Sequence, residues 1–297
     1  MRSLTMWKWG KIAKIGLLVI MLGITQLAMA GSWITLDMPG ADDTYATGID
    51  GGNIVGWYMS GSEQHGFLYD GSTWTTLDMP SSFSTRVYDI DGSNIVGWYI
   101  DDPGLHGFLY DGSTWTTLDM SEDCDTMAFG IDGGNIVGWH GDDFVLDRQG
   151  FLYAGSRWTN LNMPGAFGTT IFGIDGLNMV GSYGYNSEPH GFFYDGSTYT
   201  TINMPGASDT MAYGIDGNSI VGMYGGAHGF LYKGSIWTTI DMPGATNTTA
   251  FGIDESNIVG YYNDAFGTHG FIYTIPEPAT ALLLGLGFIQ VMRRKIR

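Results

Sequence analysis

From residue 31 to residue 274, short apolar runs alternate with breaks rich in Gly, Asp and Ser. That is the pattern of short strands joined by tight turns. The runs repeat. A unit G-I-D-G-x-N-I-V-G-W-Y, followed by H-G-F-L-Y-D-G-S-T-W-T-T-L-D-M-P-G-A, recurs with its first Asp at Asp50, Asp91, Asp132, Asp175, Asp216 and Asp254, at spacings of 41, 41, 43, 41 and 38. A period in the low forties is that of propeller blades. Each unit predicts four strands, a to d. Thr210–Asp216 exemplifies a, Asn53–Tyr58 b, His65–Tyr69 c and Trp74–Met79 d. Asp-Gly between a and b, and Asp-Gly-Ser-Thr between c and d, suit hairpins because Asp and Gly tolerate positive φ.

The spacing also predicts where the repeats differ. From the His position of c to the next G-I-D position the distance is always 24, whereas from G-I-D to His it is 17, 17, 19, 17, 14 and 17. All length variation therefore falls in the b–c loop, as in stacked repeats whose insertions collect on one face. Trp33–Met38 reads as a d strand with no unit before it, and His269–Tyr273 as a c strand with no d after it. Together they predict an all-β, six-bladed β-propeller of ~41-residue four-stranded repeats, closed by the N-terminal strand. An open β-solenoid shares the period. Strand a, rich in Gly and Ala, is expected to lie innermost, where small side chains relieve crowding.

Composition narrows the function. The chain has 297 residues, 47 of them Gly, one Cys and a net charge of −18. Eight of the twelve basic residues lie at the two ends. Residues 31–275 hold four basic residues against 29 acidic ones, a charge of −25. Such a surface repels phosphate, so no nucleic-acid partner is expected. One cysteine permits neither an internal disulfide nor a cysteine-based zinc site.

The two ends read as addresses. Residues 1–30 form a signal peptide, with a basic start, the apolar run Ile15–Leu27, and small residues Ala28 and Ala30 where a signal peptidase reads. An uncleaved membrane anchor is the alternative. Residues 275–297 carry Pro276-Glu277-Pro278, then the apolar stretch Ala279–Met292, expected as a short hydrophobic helix, then Arg293, Arg294 and Lys295. The basic cluster would stay cytoplasmic. This tail resembles the PEP-CTERM sorting signal of Gram-negative exported proteins. The resemblance implies an inner-membrane-anchored intermediate, cut near Pro276-Glu277-Pro278 by an exosortase-type enzyme and released to the cell surface or an extracellular polysaccharide matrix, as in a biofilm. Fourteen helical residues rise about 21 Å against a ~30 Å hydrocarbon core, so passage through the membrane would be transient. The repeat itself resembles the HAF-type extracellular repeat, with Gly66, Gly107, Gly191, Gly229 and Gly270 where that family has Ala, and Gln149-Gly150-Phe151 in the third copy. That likeness implies export and repeats but no defined activity.

Most candidate chemistry sits in repeated slots. His65, His106, His190, His228 and His269 share one position on c, too far from the axis to converge on one ion; a local hydrogen bond, with the repeated Thr of strand a, is the simpler expectation. The six turn Asp residues are expected to bond their own turns rather than to form a Ca²⁺ ring. No metal and no catalytic residue is assigned. The irregular b–c and d–a loops share one face and are acidic. Asp101, Asp102, Asp142, Asp143 and Asp147 mark that candidate binding face. The expectation is an exported, non-catalytic repeat protein with a structural or ligand-binding role. A carbohydrate-active enzyme and a Ca²⁺-stabilised lectin or adhesin, both using that face, are the alternatives.

Overall fold

The computed structural model describes residues 31–102, 104–121, 124–142, 148–184 and 188–276. The chain forms an all-β six-bladed β-propeller in which every blade is a four-stranded antiparallel sheet. Blade 1 runs outward through Asp43–Asp50, Asn53–Ser60, Glu63–Tyr69 and Trp74–Leu77. Blades 2 to 5 repeat it. The sixth sheet orders Asn247–Asp254, Asn257–Asn263, Thr268–Thr274 and then Ser32–Leu36, so its outermost strand comes from the start of the chain. Residues 1–30, expected as a signal peptide, and Glu277, Pro278 and the expected C-terminal helix beyond them lie outside the described residues.

The I-V-G and H-G-F motifs are one packing device. Gly56 on strand b faces Phe67 on strand c in the pairing register. A Cβ on Gly56 would fall 1.9 Å from the Tyr45 carbonyl and 2.9 Å from the Phe67 ring. The other five blades repeat this with Gly97, Gly138, Gly181, Gly222 and Gly260. The space left by each glycine is filled by Phe67, Phe108, Phe151, Phe192, Phe230 or Phe271, all fully buried. Burying one such ring stabilises by ~2–3 kcal/mol. An aromatic of strand d closes the outer side: Trp74 lies 4.9 Å from Phe67, and Trp33 of the N-terminal strand 5.0 Å from Phe271. The glycine of H-G-F is equally constrained. A Cβ on Gly66 would meet the Leu77 carbonyl at 2.4 Å, and on Gly107 the Leu118 carbonyl at 2.8 Å. An alanine there needs strand d to move.

The expected lining of small side chains at the axis is corrected. In every blade the pairing of strands a and b slips once, between Ala46 and Gly48 in blade 1 and at the equivalent place in the others. A bulge re-aims the extra residue. Here the extra residues are Thr47, Tyr88, Phe129, Phe172, Tyr213 and Phe251. The five aromatics meet around the axis, with Tyr88–Phe129 at 4.7 Å, Phe129–Phe172 at 5.1 Å, Phe172–Tyr213 at 4.8 Å and Tyr213–Phe251 at 4.2 Å. Small residues are still required, but between blades: a Cβ on Gly173 would lie 2.6 Å from the Tyr213 carbonyl of the next blade.

Candidate functional site

The repeated aspartates hold the ring together. Asp50 accepts a hydrogen bond from Gly92 N–H at 2.7 Å, one blade further on. Asp91 takes Gly133 N–H, Asp132 takes Gly176, Asp175 takes Gly217, Asp216 takes Glu255, and Asp254 takes Gly51 back in blade 1. The expectation that they bond their own turns is therefore corrected. The a–b turns crowd near the axis, so the nearest unpaired N–H belongs to the neighbour. The c–d turn aspartates do bond their own turns. Asp70 accepts from Thr73 N–H, Ser72 Oγ and Ser72 N–H, which together hold its carboxyl below the usual carboxylate range, the Thr73 bond most of all.

The repeated histidines are equally occupied, but not by threonine. His65 Nδ1 lies 2.9 Å from Asp78 Oδ2 on the adjacent strand d, and His106, His228 and His269 pair likewise with Asp119, Asp241 and Asp37. His190 meets Asn203 instead. A tyrosine stacks beside each of these histidines and reaches a strand-d threonine with its hydroxyl, as Tyr99 does to Thr117 at 2.8 Å. The strand-a threonines hold the d–a corner, Thr44 Oγ1 accepting Met38 N–H at 3.0 Å. Among the described residues no group of three or more His, Cys, Asp or Glu is placed to hold a metal ion.

Several acids of the loop face are likewise engaged in structure. Asp42 accepts Gly61 N–H at 2.7 Å, Asp43 accepts Thr268 N–H from blade 6 at 2.8 Å, and Asp125 accepts Leu105 N–H from blade 2 at 3.3 Å. Asp101 sits 3.2 Å from His106 Nε2. Asp102 and Asp142 are exposed, while Asp143 and Asp147 lie outside the described residues. The same face carries three exposed rings: Phe83 and Phe167 on d–a loops and Phe266 on a b–c loop, at 70%, 61% and 90% exposure.

Two blades break the symmetry. In blade 2, Asp89 stands where the other five copies have glycine, and it borders an axial cavity of about 40 Å³ with Thr47, Tyr88 and Gly252. Its Oδ2 accepts Ile131 N–H at 3.0 Å. Burial pushes its carboxyl up to about 7, against the hydrogen bonds from Ile131 and Ile90 and with smaller contributions from Asp91 and Asp50. Nearby, the Arg86 guanidinium lies 3.9 Å from the Trp57 ring centre and 4.9 Å from that of Trp98, and its Nε donates to Gln64 at 2.8 Å. In blade 3 the Tyr–Thr pair becomes His140 and Asn160, and the His–Asp pair becomes Gln149 and Asn162. Gln149 stands out as a departure of the third copy, but Asp89, His140 and Asn160 do not stand out along a single copy. Aligning the six copies by column is the signal that finds them.

No family model matches the chain, and no curated protein sequence matches it. Several solved structures are similar to it. Virginiamycin B lyase from Staphylococcus aureus is 12% identical, with 82% of this chain and 100% of that chain covered at a TM-score of 0.48. The β-propeller domain of the Trilobed protease from Pyrococcus furiosus is 9% identical over 78% and 94%, also at 0.48. Trypanosoma rangeli sialidase is 10% identical over 91% and 61%, at 0.46.

Proposed function

We propose that this chain is an exported propeller whose ring is a scaffold and whose b–c and d–a loop face is the binding surface. The observation that carries this reading is the fate of the repeated polar groups. Turn aspartates, strand-c histidines and strand-a threonines are engaged in hydrogen bonds within or between blades. Length variation, exposed acids and exposed phenylalanines collect on the loop face. A surface of stacking rings among carboxylates suits neutral glycans and disfavours anionic partners. The N-terminal strand acts as the latch of the ring. Strand c of blade 6 ends at Thr274 on the turn face, opposite the loop face, and Ser32–Leu36 begins there.

Two experiments test this. C-terminal mass spectrometry of the exported protein should find a chain ending near Pro276-Glu277-Pro278; an intact Arg297 overturns processing by an exosortase-type enzyme. Binding to a panel of neutral polysaccharides should weaken at least tenfold when Phe83, Phe167 and Phe266 are changed to Ser together. Unchanged binding by a folded triple variant removes the loop face from the proposal.

A further inference from the structure

We propose that blade 3 carries a base-activated thiol, with Cys124 as nucleophile, His140 as its base and Asn160 as the positioning residue, and that it accepts acyl groups from esters. This goes beyond the scaffold reading, since it concerns the one blade whose polar pairs depart together. In blades 1, 2, 4, 5 and 6 the strand-b position holds Tyr, bonded to Thr on strand d. In blade 3 both partners change at once, to His140 and Asn160, beside the chain's one cysteine.

The register brings the residues together. His140 pairs opposite Thr126 on strand a and opposite Gln149 on strand c, while Asn160 pairs opposite Phe151. Cys124 immediately precedes strand a, which begins at Asp125. Cys124 Sγ lies 3.8 Å from His140 Nδ1, within the longer reach of sulfur, and His140 Nε2 lies 3.0 Å from Asn160 Oδ1. Asn160 Nδ2 donates to Gln149 Oε1 at 3.1 Å, which turns its carbonyl oxygen toward His140. A carbonyl oxygen only accepts, so Nε2 carries the proton and Nδ1 presents a lone pair to the thiol. Ser121 Oγ, 3.1 Å from Sγ, can donate to the thiolate once it forms. His140 is 8% exposed, so the base is fixed behind a partly exposed sulfur. A nucleophile within reach of a base that a third group orients is the general arrangement of covalent acyl transfer.

The thiol proton passes to His140 Nδ1, and the sulfur forms a C–S bond to the ester carbonyl carbon. The C–O bond to the leaving group breaks, and the imidazolium proton goes to the departing oxygen. Water, deprotonated by His140, then attacks the thioester carbonyl, releasing the acid and restoring the thiol.

The test uses the full chain and two electrophiles. Iodoacetamide alkylation of Cys124 is followed from pH 5 to pH 9, and p-nitrophenyl acetate reports acylation by release of p-nitrophenolate. The control is the double variant His140→Tyr with Asn160→Thr, which restores the pair found in the other blades; His140→Gln replaces it if the double variant does not fold. The native chain should alkylate faster than the control across the pH profile, and at least tenfold faster at pH 6. Asn160→Ala should move that profile part of the way back, an effect that loss of packing alone would not have. A burst of one p-nitrophenolate per chain should vanish in Cys124→Ala. Superimposed alkylation profiles for the native chain and the control overturn activation, and the absence of a burst overturns acyl transfer.

Discussion

Asp89 offers the sharpest stability test, because a single carboxyl stands where five glycines would. Removing its charge with Asp89→Asn keeps an oxygen to accept Ile131 N–H, now 3.0 Å from Oδ2. The carboxyl sits at about 7 in the folded ring against 3.8 for an ordinary aspartate, a difference of about three units. At 1.36 kcal/mol per unit this is ~4 kcal/mol. That figure is an upper bound, since the side chain keeps some surface toward the ~40 Å³ axial cavity, where water can solvate the charge. Between pH 3.8 and about 7 the folded protein holds a proton that the unfolded chain has released. Stability therefore falls as pH rises through that window and levels off above it. The native chain and Asp89→Asn would be unfolded in urea at pH 4, 5, 6, 7 and 8, followed by circular dichroism. Taking the difference between the two cancels the titration of the other acids. The variant should match the native chain near pH 4 and exceed it by ~2–4 kcal/mol at pH 8. A difference that stays flat from pH 4 to pH 8 would refute burial as the cause of the shift.

Other perturbations read other parts of the ring. Asp175→Ala removes the acceptor of Gly217 N–H, 2.7 Å away, and should cost ~1–2 kcal/mol in urea unfolding, with Asp175→Asn recovering most of it. Gly138→Ala would place a Cβ 1.9 Å from the Met127 carbonyl, and should lose more than ~3 kcal/mol or fail to accumulate as soluble protein. Gly107→Ala, which writes the His-Ala-Phe form into blade 2, meets the Leu118 carbonyl at 2.8 Å and should cost ~1–3 kcal/mol.

Turn chemistry made the strands and their number legible along the chain, because Asp-Gly and Asp-Gly-Ser-Thr mark hairpins without reference to anything distant. The unmatched W-I-T-L-D-M start likewise pointed to a d strand, and Ser32–Leu36 lies beside Thr268–Thr274. Partners one blade away were not legible. A period places Asp50 and Asp91 in equivalent sites, but the N–H that Asp50 accepts belongs to Gly92, and only the curvature of the ring brings it within 2.7 Å. The bulge was hidden for a related reason. It adds one residue to every copy, so the constant spacing conceals it, and the aromatic column before G-I-D reads as ordinary strand alternation.

Departures between copies, rather than the repeat, are where this fold has room for chemistry. A side chain that recurs from blade to blade has its hydrogen-bonding capacity used by the contact that made it repeat, as His65 and His106 are by Asp78 and Asp119. A departure in one blade costs less when its neighbours change too. Asp89 shows the cost of a departure that burial penalises, a carboxyl desolvated beside the axis and accepting Ile131 N–H from the next blade. Blade 3 shows the compensated case: Asn160 accepts from His140 and donates to Gln149, and Asn162 still accepts Gly150 N–H at 2.9 Å. The backbone acceptor role of the repeat is kept while the His–Asp pair is given up. What replaces the Tyr–Thr pair is a relay from Asn160 through His140 to the thiol, with Gln149 fixing its orientation.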